Sequence, residues 1–195
     1  MAYQHFNRRG DTYLLQSSET SAGKRRFYFG RKLTGTPVEA VPVGYEVFES
    51  PERAQVYLRR ERPTAIEREI VAEGIRRLAP VDHFIVDVEP DSLVVYLPTK
   101  GTDEVNKLVH VLAGPDALRT RRFQEACDEL VRQSDYEKMM RFGLVDEEGR
   151  LFQVDRWCFR GSLDCWVLVG GPASLSDLVE EFVGHLGAES FFELM

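Results

Sequence analysis

Short runs of aromatic and β-branched residues, separated by turn-forming residues, constrain the fold of this chain more than any other feature. From Tyr136 onward, the runs YEKMMRFGLV, LFQVDRWCFR and CWVLV are joined by the turns DEEG and GSLD, which predicts a three-stranded meander. Upstream, HFIVDV and LVVYL flank Glu89-Pro90-Asp91-Ser92 and predict a central hairpin. Because strands occur in runs and not in strict alternation with helices, an α+β fold built mostly on antiparallel sheet is favoured over a doubly wound parallel sheet.

The first third of the chain has the same character. The segments DTYLLQ, KRRFYFG, YEVFES and AQVYLRR have strand composition and are separated by Ser, Thr, Gly and Pro. We expect them to form an N-terminal β-meander of four antiparallel strands that ends near Arg62.

About four helices are predicted to pack on these strands. A capping box at Thr64 begins an amphipathic run that stops at Pro80, and a second capping box at Ser174 begins another near the C-terminus. Residues 102–113 and 116–133 have apolar spacing typical of two further helices.

The chain has 195 residues, which suits one ordinary domain, and it contains no internal repeat or long linker. We therefore predict a single composite domain over residues 1–195. Its parts are a basic β-rich part (1–62), an αββαα part (63–135) and a βββα part (136–195).

Composition indicates a cytoplasmic protein. The longest apolar runs, Leu93–Leu97 and Cys165–Val169, fall far short of the roughly 20 residues that span a bilayer, so no membrane association is expected. The first ten residues lack the apolar segment of a signal peptide. The three cysteines, an odd number, favour reduced thiols, which we expect to be buried or half-buried.

Charge is distributed unevenly along the chain. Residues 1–62 carry 11 Lys or Arg against 7 Asp or Glu, whereas the remainder carries 14 against 25. Cations beside aromatic rings on strands suit single-stranded nucleic acid, but the favoured alternative is that the aromatic residues are core and the cations guard a solvated edge. The candidate binding residues of this part are Arg25, Arg26, Tyr28, Arg31, Tyr57, Arg59 and Arg60.

The segment around the last predicted turn contains both tryptophans. Tryptophan and arginine are enriched at binding hot spots, although two tryptophans across a hairpin also form a cross-strand pair, which is the interpretation we favour. The candidate binding residues here are Arg156, Trp157, Arg160 and Trp166.

Acidic and apolar clusters supply the remaining candidates. Asp87 and Glu89 could share a Mg²⁺ ion, but solvent-facing acids that keep a hairpin soluble are the favoured interpretation, and no cofactor is predicted. The apolar C-terminal tail Phe191–Met195 would be unfavourable in water, so we expect it to dock on its own domain or on a second copy.

No motif in the sequence is specific enough to name a reaction. The favoured hypothesis is a non-enzymatic module that binds another macromolecule. Its partner would be another protein or a second copy, contacted through Trp157 and Trp166 or the tail Phe191–Met195, with nucleic acid as the less favoured partner. One alternative is a small metal-assisted hydrolase that uses Asp87 and Glu89, or Asp155 and Asp164, with a histidine. Another is a structural subunit of an oligomeric assembly.

Overall fold

The structure, a computed structural model, describes residues 1–62, 65–99, 120–158 and 164–194. Within these ranges the chain forms mostly antiparallel sheet with three α-helices, which confirms the predicted α+β class. The strands are β1 (Gln4–Phe6), β2 (Thr12–Glu19), β3 (Arg25–Gly30), β4 (Thr36–Pro37), β5 (Tyr45–Glu49), β6 (Val56–Arg60), β7 (Ile85–Val88), β8 (Ser92–Pro98), β9 (Tyr136–Asp146), β10 (Leu151–Cys158) and β11 (Cys165–Ser174). The helices are α1 (Ala65–Leu78), α2 (Arg121–Gln133) and α3 (Leu175–Phe182), and two 3-10 turns, Val183–His185 and Glu189–Glu193, follow α3.

The chain divides into two compact units, each built from two separate segments. Unit 1 comprises Met1–Glu61 and Thr99–Asp135, and unit 2 comprises Arg62–Pro98 and Tyr136–Met195. These boundaries differ from the three consecutive parts expected from the sequence, because β7 and β8 group with the C-terminal strands. That the whole chain folds as one composite domain stays a prediction.

In unit 1, β2 is the centre of a four-stranded sheet, with β3 on one edge and both β1 and β4 on the other. Strands β5 and β6 form a separate hairpin, so the N-terminal strands do not make the single meander that was predicted. The fully buried Gln16 holds the loop between β3 and β4. Its Oε1 accepts from the amides of Thr34 (2.7 Å) and Gly35 (2.6 Å), and its Nε2 donates to Lys32 O (2.9 Å). These bonds direct the chain away from β3 to the opposite edge of β2.

Unit 2 contains a five-stranded antiparallel sheet of order β11-β10-β9-β8-β7. β7 pairs with β8, and β9, β10 and β11 pair in succession, but the pairing of β8 with β9 joins them into one sheet, so the hairpin and the meander are not the separate units that were predicted. Helices α1 and α3 pack on one face, where each fully buried large apolar side chain contributes about 1.5–3 kcal/mol. This core includes Val71, Ile75, Val95, Met140, Phe142, Val154, Leu178, Val179 and Phe182.

Two of the helix starts have side-chain caps. Ser174 Oγ accepts from the Asp177 amide at 3.2 Å, as the second capping box predicted, and Thr120 caps α2 by accepting from the Phe123 amide at 3.3 Å. Helix α2 therefore begins later than the predicted residue 116. Thr64, residues 116–119 and the predicted helix at 102–113 lie outside the described residues.

The C-terminal segment docks within unit 2. Phe191 is fully buried in the core, and Leu194 packs against the same cluster. The neighbouring Phe192 is 62% exposed. Met195 lies outside the described residues.

Candidate functional site

A cleft of about 520 Å³ in unit 1 is the site that brings together the most sequence-predicted binding residues. Its walls are four consecutive residues of β3 and a segment that runs from the β5–β6 turn into β6. Three predicted residues line it: Arg26, Tyr28 and Tyr57. The complete lining is Ser18, Arg26, Phe27, Tyr28, Phe29, Gln55, Val56, Tyr57 and Leu58.

Strand alternation places two kinds of side chain on β3. Phe27 and Phe29 pair with Ser17 and Leu15 across the ladder, and Phe29 contacts the Tyr3 ring at a centroid distance of 6.2 Å. Arg26 and Tyr28 project from the opposite face, since successive side chains of a strand alternate. The prediction that the phenylalanines are core therefore holds in part, because both rings stay half-buried.

Both walls of the cleft are edge strands. Among the described residues, β3 pairs only with β2, and β6 pairs only with β5. An edge strand presents unpaired backbone N–H and C=O groups, which are a template for a further strand. The cleft thus presents side chains together with backbone N–H and C=O groups that are not paired in either sheet.

The cations predicted in this unit fall into two groups. Arg59 bonds to Glu46 at 2.6 Å and stacks on Phe48, and Arg31 bonds to Asp11 at 2.7 Å. Arg25 bonds to Ser17 Oγ at 3.1 Å and lies over Phe27. Exposed Arg26 and Arg60 have no ion pair or side-chain hydrogen bond with any described residue. Among the predicted cations, Arg26 and Arg60 are therefore the two whose side chains are left for a ligand within the described part of the chain.

Exposure distinguishes Tyr57 from the other rings of the cleft. Tyr57 is 44% exposed, whereas Phe27, Tyr28 and Phe29 are half-buried. A ring of this kind offers apolar area and a hydroxyl to a partner. Ser18 and Gln55 were not predicted, because a single polar residue in a strand or turn gives no distinguishing signal.

The tryptophans of unit 2 form the cross-strand pair that the sequence favoured. Trp157 and Trp166 are register partners with ring centroids 5.0 Å apart in an edge-to-face arrangement. Lys138 Nζ lies 4.5 Å from the centroid of Trp157, and the Arg141 guanidinium lies 4.8 Å from that of Trp166. Neither cation was predicted, because which side chains of β9 face the tryptophans depends on the register of β9 on β10.

The two other residues predicted with the tryptophans are not part of this pair. Arg156 projects from the opposite face of β10, and its Nε donates to the Leu194 carbonyl at 2.6 Å. Arg160 lies outside the described residues.

Three of the four acids of the hydrolase hypothesis have other partners, and the fourth, Asp164, is exposed. Asp87 is buried, so the expectation that it faces solvent was wrong. Asp155, 4% exposed, accepts from Nε and Nη2 of Arg141 at 3.0 and 2.8 Å. Asp87 accepts from the Val88 amide at 2.8 Å, and Glu89 from Ser92 Oγ at 3.1 Å. Glu89 lines a cavity of about 30 Å³, room for about one water, and Asp87 does not. Within the described ranges, no group of three or more His, Cys, Asp or Glu could hold a metal ion.

The cysteines differ in environment. Cys158 is buried and Cys127 half-buried, but Cys165 is exposed, so the expectation that all three thiols are core or half-core was wrong for Cys165. Its position at the first residue of the edge strand β11 explains the exposure. Burial raises the pKa of the Cys127 thiol, and the neighbouring Asp128 carboxylate raises it further. Such a thiol is a weak nucleophile at neutral pH.

A second groove, of about 660 Å³, lies between α1 and α3 in unit 2. Ile70, Gly74 and Val179 contribute its apolar surface. Glu69 and Glu73 lie beside them, and Arg77 forms an ion pair with Glu180. No residue predicted as a site from the sequence lines this groove.

In comparisons with known proteins, no family model matches this chain, and neither a curated protein nor a solved structure gives a match. Among the described helices, none has both the length and the apolar character needed to cross a membrane.

Proposed function

We propose that this protein is a non-enzymatic binding module that recognises another macromolecule at the cleft between β3 and β6. The observation that carries the proposal is the convergence of Arg26, Tyr28 and Tyr57 in one cleft of about 520 Å³. A cation, an exposed ring and apolar wall atoms are the combination found at binding hot spots. Three of the four acids of the hydrolase hypothesis are instead bonded to arginines, hydroxyls or amides.

The length of the walls supports a linear segment as the ligand. Arg26 to Phe29 form one wall and Gln55 to Leu58 the other. Four extended residues span about 13 Å, at a rise of about 3.3 Å each. A chain-like ligand of about four extended residues could contact both walls over this distance.

The test is equilibrium binding of fluorescent probes at low salt, followed by anisotropy. The probes are an oligothymidylate, an acidic peptide and a basic peptide. At least one should bind saturably, and the double variant Arg26→Glu, Tyr57→Ala should weaken that binding by about tenfold or more, the equivalent of roughly 1.4 kcal/mol.

Arg122→Glu is the matched control, since Arg122 is an exposed cation of α2 that does not line the cleft. It changes charge by the same amount and should alter binding less than about twofold, because a lone exposed charge contributes little. Equal binding by wild type and the double variant, or binding of no probe, would contradict the proposal.

A further inference from the structure

We infer that the ligand of this cleft is an extended acidic peptide that adds as a β-strand to the free edge of β3 or β6. This inference rests on the proposed function and specifies its ligand. Addition of a strand to an exposed edge is a recurrent mode of peptide recognition, in which backbone bonds give affinity and alternate side chains give specificity.

The first argument is the state of the two edges. β3 and β6 each have a single pairing partner among the residues that the structure describes. Exposed edges are usually protected by charged side chains, prolines or bulges. β3 has no proline, and no register shift interrupts its pairing with β2. Cations lie at both ends of β3, at Lys24–Arg26 and at Arg31 and Lys32, and they leave the segment Phe27–Phe29 of this edge without a charged side chain.

The second argument concerns the aromatic rings. Proteins that bind single-stranded nucleic acid on a sheet present rings whose faces are free to stack on bases. Here Phe27 lies under the Arg25 guanidinium at 5.1 Å, and Phe29 contacts the rings of Tyr3 and His5. Tyr57 is the most exposed ring of the cleft lining. One exposed ring does not make a stacking row, which favours a peptide over a nucleic acid.

The third argument is charge. Arg26 lines the cleft and has no ion pair in the part of the chain that is described, and exposed Lys24 lies two residues before it at the start of β3. Side chains of Glu or Asp on a strand bound to β3 would pair with them, and the apolar positions between the acids would lie on the other face, beside Phe27 and Phe29. The expected ligand therefore alternates acidic with apolar or aromatic residues over about four positions, matching the wall length.

Two peptides that differ only in N-methylation of the backbone test whether the ligand binds by strand addition. A labelled peptide of about eight residues that alternates Glu with Val and Tyr is compared with the same peptide N-methylated at alternate positions on its pairing edge. Both have identical side chains and charge, but the second lacks half of its N–H donors. N-methylation should weaken binding by about tenfold or more, as should Arg26→Glu, whereas Arg122→Glu should change it less than about twofold.

Amide hydrogen exchange gives a second readout on the intact protein. Saturation with the unmodified peptide should slow exchange in Arg26–Phe29 or in Val56–Leu58, because edge amides become bonded. Equal binding of the N-methylated peptide without added protection would overturn the inference. So would saturable binding of oligothymidylate that is sensitive to the cleft variants while the acidic peptide fails to bind. Binding of oligothymidylate at the cleft would contradict the acidic-peptide inference but not the proposed function. If the cleft variants changed the binding of no probe, both the inference and the proposed function would be contradicted.

Discussion

At the scale of single residues, Gly74 sets how closely α1 approaches α3. A methyl group at this position would overlap Cγ1 of Val179, a side chain that is 2% exposed. In an exposed helix interior, alanine is better than glycine by up to about 1 kcal/mol. Here the steric overlap opposes that gain, because a closely packed core has no room for an added carbon.

Gly74→Ala should therefore lower the free energy of unfolding by about 1–3 kcal/mol, the usual result of overpacking. Urea denaturation followed by far-UV circular dichroism measures the change. Gly143→Ala is the control, since its Cβ would meet only Gln153 Cγ at 3.7 Å, an ordinary contact. A Gly74→Ala protein at least as stable as wild type would show that the two helices adjust at no cost.

Residue identity predicted only part of the candidate site. Cations and tyrosines on strands pointed to Arg26, Tyr28 and Tyr57, because these residue types are enriched at interfaces. Sequence could not show that Arg59 is neutralised by Glu46, since that needs the register of β5 on β6. It also could not show that Tyr28 and Tyr57 line the same cleft, because the contact between β3 and β6 is non-local.

At the scale of elements, the C-terminal 3-10 turn Glu189–Glu193 holds two adjacent phenylalanines in opposite environments. Phe191 is fully buried in the core of unit 2, and Phe192 is 62% exposed. Truncating a buried phenylalanine to alanine removes its burial and leaves a cavity.

Phe191→Ala should lower the free energy of unfolding by about 3–5 kcal/mol, whereas Phe192→Ala, with the same change in composition, should lower it by less than about 1 kcal/mol. Chemical denaturation of the two variants side by side gives both values. Similar losses for the two substitutions would mean that the turn does not anchor the tail through Phe191.

Sequence predicted elements better than their pairing. The spacing of apolar residues and the Ser174 cap identified α3, and turn residues separated β7 from β8 and β9 from β10. These are local signals. The pairing of β8 with β9 joins residues separated by the whole segment Thr99–Asp135, and no short-range pattern reports such a contact. The burial of Gln16 could not be predicted either, because a buried glutamine is unusual and its hydrogen-bond partners in the loop are backbone groups.

At the scale of the whole molecule, the two units are interleaved along the chain. The segment Thr99–Asp135, which belongs to unit 1, separates β8 from β9 of unit 2 along the chain. Pro98 and Tyr136, the residues at the two ends of this excursion, are cross-strand partners. Partners in an antiparallel ladder have Cα atoms about 4.5–5.5 Å apart, which a two-residue turn can bridge.

A shortened chain of residues 62–98, an Asn-Gly turn and residues 136–195 should fold as unit 2 alone, since it keeps all five strands, α1 and α3. The expected result is a cooperative urea transition and a dispersed amide spectrum by nuclear magnetic resonance. A disordered product would show instead that unit 2 requires the removed residues, and would favour the single composite domain predicted from the sequence.

The paired indoles have an optical consequence for any such experiment. Both tryptophans of the chain, Trp157 and Trp166, belong to unit 2, and their ring centroids are 5.0 Å apart. Emission excited at the red edge of absorption therefore originates only there, whereas five of the seven tyrosines, including Tyr28 and Tyr57, lie in unit 1. Tryptophan fluorescence therefore reports on unit 2 without an added label. Unit 1, which contains the cleft, has no tryptophan.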